Sequence, residues 1–198
     1  MSLGMADYSH KASTSSGISL ETIEEYDLYC HYVAGLVSEG LSRLFAVSGK
    51  EANWLGNQLE LSNSTGLLLQ KTNIIRDFHQ DLSEGKVFWP REIWAQPRFG
   101  FTDVTQLANS SGREEALWVQ SGMILDALRH LVDTLTYLRV LRNQSIFNFC
   151  AIPATMAIAT LERCFMNPEV FIGRVKIRKA EAADVRRFFL FRVLWVRY

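Results

Sequence analysis

The stretch Gly66-Leu-Leu-Leu-Gln-Lys-Thr-Asn-Ile-Ile-Arg-Asp-Phe-His-Gln-Asp81 decides how the chain folds. On a helix, Gln70, Asn73, Asp77 and Asp81 follow at spacings of three, four and four, which puts them on one polar stripe. Leu67, Ile74 and Phe78 lie beside the stripe, so it borders an apolar face rather than open solvent. Carboxylates at i and i+4, with carboxamides on the same line, suit a hard divalent cation such as Mg2+. That ion takes oxygen ligands, keeps several waters and is commonly shared with substrate phosphates. Arg76 and Lys71 stand close enough in sequence to meet phosphate charge the metal leaves over. Two acids at this spacing alone describe an ordinary solvated face. The carboxamides and the apolar flanks set this stripe apart.

Working outward, the rest of the chain also reads as helix. Ala12 to Gly17 is a polar loop, and Ser19 is placed to cap a helix over Leu20–Ala46, with Glu21 in its first turn. Ala34, Gly35, Ser38 and Gly40 are small and permit close approach of another backbone, and Ser48-Gly49 ends this helix. A second helix is expected over Asn53–Asp81, broken near Ser62-Asn63 and closed by Gly85 and Pro90. Lys86 to Trp94 is a dense aromatic loop and turn, and Arg98–Asn109 a surface loop with a short helical piece. Ser111-Gly-Arg-Glu114 matches a capping box. Behind it Leu117, Ile124, Leu128, Leu131, Leu135 and Leu138 recur with helical period, predicting one amphipathic helix. A further helix begins near Asn148 and carries Ala151 to Arg163, with Pro153 early in it. Strand-period alternation is nearly absent. The fold class is therefore all-α, with helices long enough to line a bundle cavity.

Composition narrows the function classes. The 198 residues are 48% hydrophobic, and 21 Lys plus Arg balance 21 Asp plus Glu. Such a chain can bury roughly 70% of its unfolded surface, and wholesale disorder is excluded. With no basic excess, nucleic acid is not an expected partner. Three cysteines without CxxC spacing argue against a disulfide framework or a thiolate zinc site and fit a reducing compartment. The start of the chain does not read as a signal peptide. No run of about 18 uncharged apolar residues predicts a spanning helix. Phe188–Tyr198 is an apolar-aromatic segment interrupted by Arg192 and Arg197, suited at most to a membrane surface.

Gln70-Lys-Thr-Asn-Ile-Ile-Arg-Asp77, followed by Lys86-Val-Phe-Trp-Pro-Arg-Glu-Ile-Trp94, resembles the squalene synthases, the farnesyl-diphosphate farnesyltransferases. Tyr29-Cys-His-Tyr-Val-Ala-Gly-Leu-Val37 with Gly40–Phe45 agrees with that family, as do Leu138–Pro153, Met156–Leu161 and Val175–Lys179. The likeness runs over residues 1–179, read as one partial helical domain, and leaves 180–198 as a divergent C-terminal tail. It implies an isoprenoid-synthase bundle around a central cavity. It also implies head-to-head condensation of two farnesyl diphosphates to presqualene diphosphate. NADPH-dependent reduction to squalene, with Mg2+, follows in sterol biosynthesis at the cytoplasmic face of the endoplasmic reticulum.

Residue by residue, the resemblance assigns Mg2+ to Asp77 and Asp81 and the substrate diphosphate to Gln70, Asn73, Arg76 and Lys86. The family usually has DxxED at the metal motif. Here Gln80 replaces the glutamate, which weakens the expected metal site, and Gln80→Glu should tighten it. Tyr29 matches a tyrosine of the first half-reaction, where a phenol can donate a hydrogen bond, shuttle a proton or steady a cation. His31 fits a satisfied structural histidine. Phe149, Cys150 and Pro153 match an apolar wall that keeps water from a cation until hydride arrives. Lys176, Arg178 and Lys179 resemble the basic cluster for the NADPH phosphate.

The chain departs from the family in carrying one aspartate-rich helix where the family uses two, and Met1–Tyr8 resembles a mid-domain stretch. We therefore expect a partial chain that lacks a membrane anchor, is not competent alone and pairs with missing bundle helices. Membrane docking is left open. Two other readings stand beside the enzyme: a non-catalytic homologue that binds prenyl diphosphate or a full-length synthase, and a phytoene synthase-like transferase without the NADPH step.

Overall fold

The first helix starts at Thr22 rather than Ser19, because the Thr22 hydroxyl accepts the Glu25 N–H at 3.2 Å and satisfies an orphan donor of the first turn. Three segments follow as one rod: α1 (Ile23–Cys30), a π-helical turn (His31–Gly35) and α2 (Leu36–Val47). Gly49, at φ +71°, ends the rod in the left-handed region. These elements belong to a computed structural model that describes residues 19–110, 112–173 and 175–177. Among the described residues all regular structure is helical, as the sequence pattern requires.

The long second helix is divided at different points from the expected one. A 3₁₀ turn (Asn53–Asn57) precedes α3 (Leu59–Arg76), and α4 (Phe78–Ser83) follows after Asp77. Ser62 and Asn63 lie inside α3 without a break, because the Ser62 and Thr65 hydroxyls bond back to helical carbonyls and need no departure from the helix. Next come α5 (Arg91–Trp94) and α6 (Thr105–Asn109). The 98–109 region is less superficial than expected, since Phe99, Phe101, Val104 and Leu107 enter the core.

The leucine repeat forms two helices, not one: α7 (Glu114–Leu128) and α8 (Leu131–Val140). The Arg129-His130 turn between them lets each pack separately on α3. Ser111 of the expected capping box lies outside the described residues, and Arg113 holds the cap position without a side-chain bond. α9 (Gln144–Cys164) starts at the Asn143 cap, so Pro153 sits well inside the helix. Its missing N–H leaves the Phe149 carbonyl without a helical donor. The buried Glu51 carboxylate accepts the Arg142 and Asn143 N–H groups at 2.9 and 2.8 Å and ties the start of α9 to the end of the first rod. α10 (Glu169–Ile172) closes the described chain, and His79 donates to the Phe171 carbonyl at 3.0 Å.

α3 is the axis, packing against the π turn, α2, α7, α8 and α9. It is consequently buried on several sides, from Ser62 through Ile75. Its crossing with the first rod depends on small residues. A Cβ on Gly66 would lie 2.6 Å from the Ala34 carbonyl oxygen and 2.8 Å from the Ser38 hydroxyl. Ala34, Gly35 and Ser38 thus do permit the close approach expected of them, whereas Gly40 faces open space. Gly66→Ala should therefore destabilise by about 1–3 kcal/mol, while Gly40→Ala, in mid-helix, should stabilise by up to about 1 kcal/mol. Thermal melts check both signs, and equal shifts would contradict the crossing geometry.

One helix among the described residues, Gln144–Cys164, is long and apolar enough to cross a membrane by length and composition, which the sequence rule did not anticipate. Here it packs on α3 and α8 as a core helix.

Candidate functional site

The polar stripe survives a break in the helix that carries it. Asp77 leaves helical geometry at φ −96°, ψ 13°, yet its N–H still donates to the Asn73 carbonyl at 2.9 Å. The Asp81 N–H donates to the Asp77 carbonyl at 2.9 Å. The three side chains therefore keep helical spacing across the hinge. Leu67, Ile74 and Phe78 are buried beside them. Asn73 is exposed, and Gln70, Asp77 and Asp81 are partly covered. Gln80 faces solvent and donates to Glu84 at 3.2 Å.

Both cations assigned to phosphate are near these acids. Arg76 forks onto the Asp77 carboxylate, and this bond raises its already high pKa. Lys86 donates its backbone N–H to the Asp81 carbonyl at 2.8 Å, and its exposed ammonium pairs with Glu84 at 2.6 Å. Burial, reinforced by the Asp77 charge, pushes the Asp81 carboxyl up to about 6. A cation beside both carboxylates relieves that repulsion. Asp81 holds a proton below about pH 6, so Mg2+ affinity should fall roughly tenfold per unit as pH drops below that point. Without metal, this raised carboxyl favours the folded state at low pH, and that contribution is lost as pH rises through about 6. Calorimetric Mg2+ titrations from pH 5 to 8 check the first statement, and a flat profile contradicts it.

An apolar cavity of about 260 Å3 lies alongside, its walls including Val33 and Ala34 of the π turn, Leu41 and Phe45 of α2, Gly66 of α3 and Tyr137 of α8. Phe149, Cys150 and Pro153 also line it, so the structure brings these three sequence candidates together. Phe149 is 58% exposed and meets Phe45 edge to face at 6.1 Å. Burial pushes the Cys150 thiol up to about 12, so it is an apolar wall and not a nucleophile at neutral pH. The Tyr137 hydroxyl lies 2.6 Å from the Ser42 hydroxyl, which satisfies both within the core. Leu69 and Pro153 continue from this cavity into a more polar cleft lined by Asn73, Arg76, Met156 and Thr160. Gln70, one turn back on α3, lies outside that lining.

One expectation comes out differently, and the remaining candidates are placed as follows. Lys71 does not face a phosphate. It is fully buried, because its ammonium sits between the carboxylates of Asp27 and Asp126. Tyr29 lies in the last turn of α1, 7% exposed, and stacks on Phe88 with ring centroids 5.0 Å apart. Phe88 in turn shares a small cleft with Asp81 and Lys86. Lys176 is exposed, and Arg178 and Lys179 lie outside the described residues. His31 is satisfied, with its Nδ1 2.8 Å from the Asn63 amide oxygen. The walls from the π turn were signalled by the small residues over 34–38 and by the Tyr29–Val37 block, whereas Tyr137 of α8 carried no signal in the sequence.

Among the described residues, the fold and site define a helical bundle in which an acidic stripe with neighbouring cations stands near an apolar cavity. The squalene/phytoene synthase family model matches residues 3–181, and the chain belongs to that family. Squalene synthase of Ganoderma lucidum is 57% identical over 193 residues, covering 93% of this chain and 41% of that protein. Squalene synthase of Homo sapiens is 48% identical, covering 93% of this chain and 42% of that protein. A solved TcSQS complex with the ligand BPH1237 superposes with a TM-score of 0.83 at 41% identity, over 93% of this chain and 52% of that one. The chain thus spans about two fifths of the length of these curated relatives.

Proposed function

We propose that this chain forms a diphosphate half-site of squalene synthase chemistry. In that chemistry two farnesyl diphosphates condense head to head to presqualene diphosphate and are then reduced to squalene. The observation that carries this reading is the continuity of the apolar cavity, through Leu69 and Pro153, with the polar cleft that Asn73 and Arg76 line, Arg76 being paired with Asp77. A prenyl chain fits the first and a diphosphate the second.

The donor set fits Mg2+. Among the described residues no three His, Cys, Asp or Glu side chains gather to enclose a metal. Asp77 and Asp81 would hold the ion by two carboxylates and leave its other positions to water and diphosphate oxygens, as Mg2+ prefers. When bound, the ion neutralises charge on the departing diphosphate. The protein's own residues do the rest. Arg76 and Lys86 can exchange their present carboxylate partners for phosphate oxygens. Tyr29, stacked on the Phe88 ring that lines a cleft with Asp81, is our candidate to donate a proton or hydrogen bond toward the leaving group. Phe149, Cys150 and Pro153 exclude water from a carbocation. We assign NADPH phosphate contact to Lys176, Arg178 and Lys179 on the strength of the family resemblance alone.

One aspartate-rich helix serves one diphosphate. The 198-residue polypeptide alone is therefore expected to bind farnesyl diphosphate in an Mg2+-dependent way and to release no squalene. Calorimetry with an unreactive thiolo analogue tests the binding, and gas chromatography of incubations with Mg2+ and NADPH tests turnover. Absence of Mg2+-dependent binding overturns the site; squalene from pure protein overturns the half-site.

A further inference from the structure

A charge cluster centred on the buried Lys71–Asp126 pair lies one step away from the proposed site. Lys71 of α3 directs its ammonium at Asp27 of α1 and Asp126 of α7. Arg129 closes the ring from outside, reaching Asp126 and, at 3.3 Å, Asp27. The Lys71 ammonium also lies 4.9 Å from the centroid of the Tyr26 ring. Two cations and two carboxylates thus join three helices at one level. Such a cluster is weak evidence for stability, because well-packed apolar groups often serve as well. It does specify register, since a one-turn slide of α1 along α3 leaves charges buried without partners.

That register has a consequence for the site. Asp27 is two residues before Tyr29, and Tyr26 is one helical turn before it. Tyr29 stacks on Phe88, and Phe88 borders Asp81 and Lys86. Lys71 is itself six residues before Asp77 on the same helical run. Contacts from the Lys71 ammonium therefore fix Asp27 and Tyr26 of α1, and the same helix carries the Tyr29 ring onto Phe88, which lines a cleft with Asp81. We infer that Lys71, with Asp27 and Asp126, is a positioning residue that holds Tyr29 at its working distance from the diphosphate. The inference rests on the diphosphate reading above.

The test replaces the cluster without leaving a buried charge. In the full 198-residue chain, Lys71→Leu, Asp126→Leu and Asp27→Asn are combined, with 3-fluorotyrosine at position 29. Magnesium and inorganic diphosphate are the probe. In the unaltered protein the fluorine signal is expected to shift on addition of Mg2+ and diphosphate. The triple variant should melt within a few degrees of it, bind about tenfold more weakly and lose most of that shift. Equal stability with affinity within twofold and an unchanged shift overturns the positioning role. Should the triple variant not fold, Asp27→Asn alone decides. That variant leaves Lys71 paired with Asp126; it should weaken binding about threefold and reduce the shift, and an unchanged response overturns the inference. No binding by the unaltered protein instead overturns the diphosphate reading itself.

Discussion

Lys71→Met is expected to lower stability by about 3 kcal/mol, the lower end for breaking a buried pair from one side. The methionine matches the lysine stem, so little packing is lost. What remains is Asp126, 5% exposed, with its compensation reduced to Arg129. Arg129 is half-exposed and keeps contact with both carboxylates, which is why the upper end of the range does not apply. For a chain of this length the loss corresponds to roughly 6–12 °C in melting temperature. A melting point within about 2 °C of the unaltered protein would show that the cluster is not under the electrostatic constraint its burial implies.

Asp81→Asn should act in opposite directions on binding and on stability. Mg2+-dependent affinity for diphosphate should fall on the order of 100-fold, because a charge is removed from a close, partly desolvated ion contact. Without metal, the same change should leave the melting temperature unchanged or raise it at pH 7. Burial and the Asp77 charge disfavour the ionised Asp81 side chain there, and asparagine has no charge to disfavour. Calorimetry gives the first quantity and a thermal melt at pH 7 the second. A variant that melts lower but binds Mg2+ and diphosphate as tightly as before would assign Asp81 to structure rather than to the site.

How much of this was legible in the sequence varies with the range of the interaction. The Asn73–Asp77–Asp81 stripe was readable because its spacing is local, and the backbone bonds from Asp77 to Asn73 and from Asp81 to Asp77 preserve it even through the hinge. The Arg129-His130 break was not readable, because the leucine repeat continues through it at helical period. Only the need to lay two helices separately on α3 ends the first one. Pro153 was misplaced for a related reason. A proline suggests a helix start by local chemistry, but Asn143 and the distant Glu51 cap the helix much earlier.

Lys71 shows the boundary most sharply. Its position beside a metal-type stripe made it a natural phosphate ligand, yet its two partners lie 44 and 55 residues away in sequence. Helical period and the small residues at 34–38 were enough to predict an all-α bundle, because each is a short-range regularity, and the family blocks, each a local run of residues, carried the resemblance to the squalene synthases. Which cation faces the ligand and which is sealed in the core depends on carboxylates brought in by other helices. Charge pairing across packed helices has no period in the sequence, and only the tertiary structure decides it.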